Sequence, residues 1–171
     1  MMRLCALVLM LLWGGGCAIQ PDAEAITAKT QHHQPMEIPW EGESLVIADQ
    51  PSSPALDVGV VLFDPGVDAL DDSPAAAVRR LESKLLAGQL RDALVESNQW
   101  GVVRMVPAAS ALVPVNIRSQ IVASDGRDLV LRVSAIEASG SVLFDHLIGH
   151  RETFAGEGFA DVFNAISNRL L

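Results

Sequence analysis

The sequence predicts a single α+β domain in which two helices cover one face of a mostly antiparallel sheet. Three observations predict this class. The chain has 171 residues, a length that suits one core. Apolar segments with strand patterns recur from residue 57 onward, and two further segments repeat their apolar residues at helical spacing. Their order along the chain is β-α-β-β-β-β-α, and we expect the domain to span residues 57–171.

The first strand and the first helix have distinct sequence signals. The continuous apolar run 57–63 is typical of a strand buried on both faces. The helix is predicted over 75–97, because Ser73 followed by Pro74 is typical of a helix N-terminus. Gly88 lies inside this helix at a cost of about 1 kcal/mol relative to alanine, so we expect the helix to pack closely on the sheet there. The predicted apolar stripe comprises Val78, Leu81, Leu85, Leu86, Leu90 and Leu94.

The rest of the domain is predicted to be four strands and a C-terminal helix. Asn98 is expected to end the first helix in a left-handed conformation. Asp125-Gly126 favours a type I′ hairpin turn, in which both central residues have positive φ, and Ser139-Gly140 predicts a second turn. The strands are predicted at 100–106, 113–124, 129–136 and 142–148. The C-terminal helix carries Phe159, Val162, Phe163, Ile166 and Leu170 on one face.

Residues 1–16 have the features of a signal peptide. Arg3 precedes an apolar run of about ten residues, which is too short to span a bilayer, since a spanning helix needs about 20. Gly14-Gly15-Gly16-Cys17 resembles the lipobox of bacterial lipoproteins, which implies that Cys17 is acylated. Ala18 stands where that family has an aspartate for inner-membrane retention, so the resemblance implies an outer-membrane anchor facing the periplasm. The alternative is ordinary secretory cleavage after Gly16, with Cys17 as a free thiol.

Residues 17–56 are expected to form a flexible tether between this anchor and the domain. Prolines lie among polar residues in this segment and interrupt both helix and strand periodicity. Within it, residues 44–48 favour an additional edge strand. Cys5 lies in the signal peptide, so the mature chain would hold Cys17 alone and no internal disulfide.

Short segments of the domain are similar to a family of uncharacterised outer-membrane lipoproteins of proteobacteria. These segments are residues 58–63, residues 94–97, residues 100–104 and the Asp125-Gly126 hairpin. The order of elements also resembles, in topology, the domain shared by the curli-secretion lipoprotein, the lipoprotein activator of a penicillin-binding protein and the N-terminal domain of the Tol-Pal periplasmic component. The topological resemblance implies, by analogy, an accessory role in the periplasm.

The composition and the motifs disfavour nucleic acid, metal ions and catalysis. The chain has 21 acidic and 12 basic residues and a net charge of -9, which opposes binding to phosphates. It contains no hydrolase, P-loop or zinc-binding motif, so we expect no catalytic residue and no cofactor. The histidines, His32, His33, His146 and His150, lack partners at ligand spacing and are interpreted as solvent-exposed.

An acidic loop follows the first strand and contains Asp64, Asp68, Asp71 and Asp72. Its spacing does not fit a calcium-binding loop of the EF-hand type. We interpret these carboxylates as groups that cap the following helix and interact with its N-terminus. The alternative is that these carboxylates bind calcium in a site of a different type.

A sheet covered by helices on one face leaves its other face or an edge free to bind a partner. Polar positions of two adjacent predicted strands form a candidate partner surface. These are Asn116, Arg118, Gln120, Arg132 and Ser134. The alternative is that they are merely solvated.

The leading hypothesis is a non-enzymatic, lipid-anchored envelope protein that binds a protein partner. The other hypotheses are a lipoprotein that binds peptidoglycan or a small ligand, and a small hydrolase.

Overall fold

A computed structural model of the chain describes residues 36–37, 43–151 and 158–171. All of them belong to one compact unit, Gln34–Leu171. The predicted signal peptide, Cys17, His32 and His33 lie outside the described residues. The elements are β1 (Met36–Glu37), β2 (Val58–Val61), α1 (Pro74–Glu96), β3 (Val103–Val106), β4 (Val115–Ser124), β5 (Asp128–Glu137), β6 (Val142–Arg151) and α2 (Ala160–Arg169).

The strands form one sheet in the order β1-β6-β5-β4-β2-β3. The long ladders of β4 with β5 and of β5 with β6 are antiparallel. β2 pairs in parallel with β3 and β4, and the short β1 pairs in parallel with β6. The parallel pairing of β2 with β3 follows from α1, which carries the chain back to the starting end of the sheet. The predicted α+β class is therefore confirmed, with β1 added at one edge.

The core is one apolar layer between the helices and one face of the sheet. Leu90 and Leu94 of α1 and Ile166 of α2 are buried against Ile117 and Leu131. Each such side chain contributes about 1.5–3 kcal/mol through burial. Since strand side chains alternate between faces, the odd-numbered residues of β5 and of β4 up to Ile121 point to the helices, and the even-numbered residues point to the opposite face. A β-bulge between Ile121 and Ala123 reverses the alternation at the end of β4.

The predicted ends of α1 are confirmed. The Ser73 hydroxyl accepts a hydrogen bond from the Ala76 N–H at 3.2 Å, and Pro74 begins the helix. Asn98 lies just beyond the helix with φ 53°, the expected left-handed conformation. A side-chain cap of this kind stabilises a helix by about 1 kcal/mol.

The predicted apolar stripe of α1 is only half correct. Leu86, Leu90 and Leu94 are buried, whereas Val78, Leu81 and Leu85 are exposed. In their place the helix buries small residues, Ala76, Ser83 and Ala87. These small side chains let the helix backbone approach the sheet. Val78, Leu81 and Leu85 therefore lie on the side of α1 that faces away from the sheet.

The β4–β5 hairpin is present as predicted, but its turn differs from type I′. Gly126 has φ 87°, while Asp125 does not have positive φ. The Asp125 carboxylate holds the turn instead, since it accepts hydrogen bonds from the N–H groups of Arg127 and Asp128. These bonds lower the pKa of Asp125. Hydrogen bonds to the Asp125 side chain therefore fix this turn, in place of the type I′ backbone conformation that the sequence predicts.

The predicted tether requires a correction where the structure describes it. The Ala48 N–H donates to the Ser97 carbonyl at 2.9 Å, and the Asn98 side-chain amide donates to the Ala48 carbonyl at 2.9 Å. The Val46 N–H donates to Asn168 Oδ1. Residues 44–48 are therefore not a strand, because their backbone binds polar groups at the C-terminal ends of both helices. The domain begins before the predicted boundary at residue 57.

The interpretation of Gly88 as a close-packing site is wrong. A Cβ atom placed on Gly88 has no neighbour within 4 Å. The helix therefore bears the entropic cost of a glycine at a position where the structure has room for a side chain. Gly66 differs, because its φ is +67° and a Cβ atom there would overlap the Ile121 carbonyl oxygen.

We expect Gly88→Ala to raise the free energy of unfolding by about 0.5–1 kcal/mol, because alanine restricts the unfolded chain and fits the open helical position. Gly66→Ala is the control and should lower the free energy of unfolding. Urea denaturation of both variants and of the parent chain measures the difference. A destabilised Gly88→Ala variant would contradict this prediction.

Candidate functional site

A group of polar side chains lies on the sheet face opposite the helices. We call Arg118, Gln120, Arg132 and Ser134 the open-face cluster. The strand register pairs Arg118 with Ser134 and Gln120 with Arg132, so all of them project from neighbouring positions of β4 and β5. Together with Asp64 they line an open cavity of about 260 Å³. The structure thus brings together most of the surface that the sequence predicted.

The guanidinium groups of Arg118 and Arg132 have no hydrogen bond or ion pair with any described residue. Several other arginines of the domain are paired, as Arg104 is with Asp57 and Arg151 is with Asp128. Arg118 and Arg132 occupy diagonal positions on adjacent strands, which corresponds to a separation of about 7–8 Å. Arginine side chains that start from Cα atoms at this spacing are long enough to bind one anionic group from both sides.

Asp64 forms the other side of the cavity. Its carboxylate accepts hydrogen bonds from the Gly66 N–H at 2.8 Å and from Gln120 Nε2 at 3.2 Å. Its backbone N–H donates to the Ser119 carbonyl at 2.8 Å, so the loop after β2 is fixed against β4. Ser119 is buried, and its hydroxyl has no hydrogen-bond partner within the described part of the chain. The Ser119 side chain pairs with Val133 on the helix-covered face, so the cavity combines the donors of Arg118 and Arg132 with one carboxylate that is already engaged.

Asn116 was predicted as part of the partner surface, but it has a structural role instead. It is buried, and its side-chain oxygen accepts a hydrogen bond from the Ser110 N–H at 3.0 Å. Its side-chain amide donates to the carbonyls of Ser110 and Val113, each at 3.0 Å. These bonds hold the loop before β4 over the side chain, which leaves no group of Asn116 free for a partner.

Asp145 was missed by the sequence analysis. It lies on β6 directly opposite Ser134, on the same face as the open-face cluster. Its Oδ1 atom is buried and has no hydrogen-bond partner among the residues described. Two strand spacings, about 10 Å, separate its strand from that of Arg118, whereas Arg132 lies diagonally across from it on the adjacent strand. Alternation along β6 indicates the face of Asp145, but its neighbours depend on the register across the Ser139-Gly140 turn.

The acidic loop uses its carboxylates locally. Asp68 accepts a hydrogen bond from the Leu70 N–H, and Asp71 accepts one from the Ser73 N–H, which lowers the pKa of Asp71. Ser73 caps the helix, and these aspartates shape the turn before it. Across residues 36–37, 43–151 and 158–171, no group of three or more His, Cys, Asp or Glu residues is arranged to hold a metal ion.

The interpretation of His146 and His150 as solvent-exposed is wrong, because both are half-buried on the helix-covered side of the sheet. His146 Nδ1 lies 3.2 Å from Glu37 of β1. The His150 ring meets the Phe159 ring edge-on, with the ring centroids 6.2 Å apart. Both histidines therefore have structural neighbours at the β6 edge.

No protein-family model matches the chain, and no curated protein matches it significantly. Within the described part of the chain, no helix has the length and apolar character needed to cross a membrane. The open-face cluster is therefore the feature on which a functional proposal is based.

We expect Asn116→Ala to lower the free energy of unfolding by about 2–3 kcal/mol, because it leaves buried backbone groups without their partners. Gln120→Ala is the matched control on the same strand face, and it should change stability by about 0.5 kcal/mol or less. Chemical denaturation compares the variants. Equal effects of the two substitutions would contradict the structural role of Asn116.

Proposed function

We propose that this chain is a lipid-anchored accessory protein of the bacterial envelope that binds an acidic segment of a partner protein through the open-face cluster. The observation that carries the proposal is the pair of unpaired guanidinium groups of Arg118 and Arg132. They lie side by side on a chain whose net charge is -9. Neither has a hydrogen bond or ion pair with a described residue, although Asp64 lines the same cavity, and a ligand of opposite charge would supply that partner.

Arginine suits this kind of recognition. Its planar guanidinium group donates parallel hydrogen bonds to a carboxylate, and arginine is enriched at protein interfaces. Val61 and Leu62 line the same cavity and add apolar contact area beside the charges. Gln120 and Ser134 supply neutral hydrogen-bonding groups. An acidic peptide with apolar neighbours would match this combination.

The shape of the cavity supports a surface that docks a protein. Its volume of about 260 Å³ is small. Pockets for small molecules usually enclose about 300–1,000 Å³ and surround most of the ligand. A carboxylate-bearing peptidoglycan fragment or another small anion is the second candidate, since the same two guanidinium groups would bind it.

The proposed anchor is the acylated Cys17 of the predicted lipobox. Each buried CH₂ group of an acyl chain contributes about 0.8 kcal/mol to membrane binding, so several chains hold a protein firmly. The acidic character of the domain disfavours direct attraction to anionic lipid, which leaves the acyl chains as the attachment. In this proposal the anchor faces the periplasm from the outer membrane.

We expect a photoreactive amino acid at position 134 of the full chain to crosslink a protein partner in cells. The charge reversal Arg118→Glu with Arg132→Glu should lower the yield of this adduct by at least about tenfold, because it replaces attraction to an acidic group with repulsion. Arg127→Glu is the control, since it changes the same charge at an exposed position outside the cluster.

Mass spectrometry of the crosslinked product distinguishes the candidates. A protein adduct whose crosslinked peptide is acidic supports the proposal. A glycan adduct would instead support the peptidoglycan alternative. An adduct that is equally abundant in the charge-reversed variant would contradict a role for the two arginines.

We expect intact-mass measurement of the mature chain to show acyl chains, and cell fractionation to place it with the outer membrane. Cys17→Ser should remove both the added mass and the membrane association, because it removes the thiol that is acylated. Cys5→Ser is the matched control and should leave both unchanged. A mature native chain without acyl mass would rule out the anchor.

A further inference from the structure

The outer side of α1 carries an apolar stripe that faces away from the sheet. Val78, Leu81 and Leu85 are exposed by 55%, 67% and 62%, and Val95 by 54%. We call these residues the outer stripe. Val78, Leu81 and Leu85 are three and four residues apart, as the a and d positions of a heptad pattern are, and Val95 lies in the same register. Gly88 and Asp92 occupy the two positions between Leu85 and Val95. The stripe lies opposite the residues that α1 buries.

The two flanks of this stripe carry opposite charge. On one side Glu82, Gln89 and Glu96 recur every seven residues. On the other side Lys84 and Arg91 recur at the same interval. In heptad terms these are the e and g positions, whose charges determine which helices pair and in which orientation. The stripe therefore has an acidic border and a basic border along its length.

We propose that the outer stripe binds α1 of a second copy of this chain, with the two helices parallel. A parallel pair related by a twofold axis places the basic flank of each helix against the acidic flank of the other. Arg91, which forms an ion pair with Asp92 of its own helix, then faces Glu96 of the second copy. An antiparallel pair would oppose like charges, which is unfavourable. The Arg91–Glu96 pairs thus favour the parallel orientation, in which Asp92, at an a position, lies beside Asp92 of the second copy.

A groove beside the acidic flank fits the same arrangement. It lies between α1 and α2, has a volume of about 310 Å³, and is lined by Asp92, Glu96, Phe159 and Phe163 among others. Carboxylates at the rim and aromatic rings below suit a long basic side chain, whose stem packs on apolar surface while its charge stays at the rim. Arg91 of the second copy would enter here.

Disulfide crosslinking tests the proposal directly. In the full chain with Cys5→Ser and Cys17→Ser, Val78→Cys and Val95→Cys should each form a disulfide-linked homodimer under mild oxidation. A disulfide requires Cα atoms within about 7 Å, which a parallel pair provides at both ends of the stripe. Val122→Cys, an exposed position on the other side of the sheet, is the control and should stay monomeric.

The outcomes are distinct. If Val78→Cys joins only Val95→Cys in a mixture of the two variants, the helices are antiparallel and the proposed orientation is wrong. If no variant forms a dimer beyond the control, the outer stripe does not bind a second copy. Circular dichroism of each variant confirms that it is folded before crosslinking.

Charge exchange provides a second test. With Val78→Cys as the reporter, Arg91→Glu and Glu96→Arg should each lower the dimer yield by about tenfold. The double variant with both exchanges should restore it, since the facing charges are again opposite. Loss in both single variants without restoration would overturn the parallel pairing, and so would unchanged yields in all three.

Discussion

The burial of one apolar layer between α1 and the middle of the sheet is the constraint on which the rest of the domain depends. α1 approaches the strands through Ala76, Ser83 and Ala87, while Leu90 and Leu94 fill the space above the sheet. Because α1 connects β2 to β3, this layer also requires those strands to run parallel. β4 pairs with the other side of β2 and carries the antiparallel strands β5 and β6, so the whole sheet extends from this centre.

The same layer leaves two different surfaces on opposite sides of the domain. The open face of the sheet has Arg118 and Arg132, whose guanidinium groups form no hydrogen bond or ion pair with a described residue. The outer side of α1 has exposed apolar residues between flanks of opposite charge. In our proposals a partner protein binds the first surface and a second copy binds the other. Since they lie on opposite sides of the domain, the two interactions would not compete.

Much of the candidate site follows from strand alternation. The even-numbered positions of β4 and β5 share one face, and the hairpin between the strands brings Arg118, Gln120, Arg132 and Ser134 together. Asn116 obeys the same alternation, yet the loop before β4 folds over it and uses all of its polar atoms. The burial of Asn116 depends on the conformation of this loop, which the alternation of residues along a strand does not predict.

The sequence by itself determined the order of the elements, the cap at Ser73 and the hairpin at Asp125-Gly126, because these features depend on residues that are close in the chain. Only the tertiary structure decided which face of α1 meets the sheet. Two apolar stripes were available, and the small residues beside one of them allowed closer packing. It also decided that the segment before β2 belongs to the domain, because Ala48 and Val46 bind side chains that lie 50 and 122 residues away.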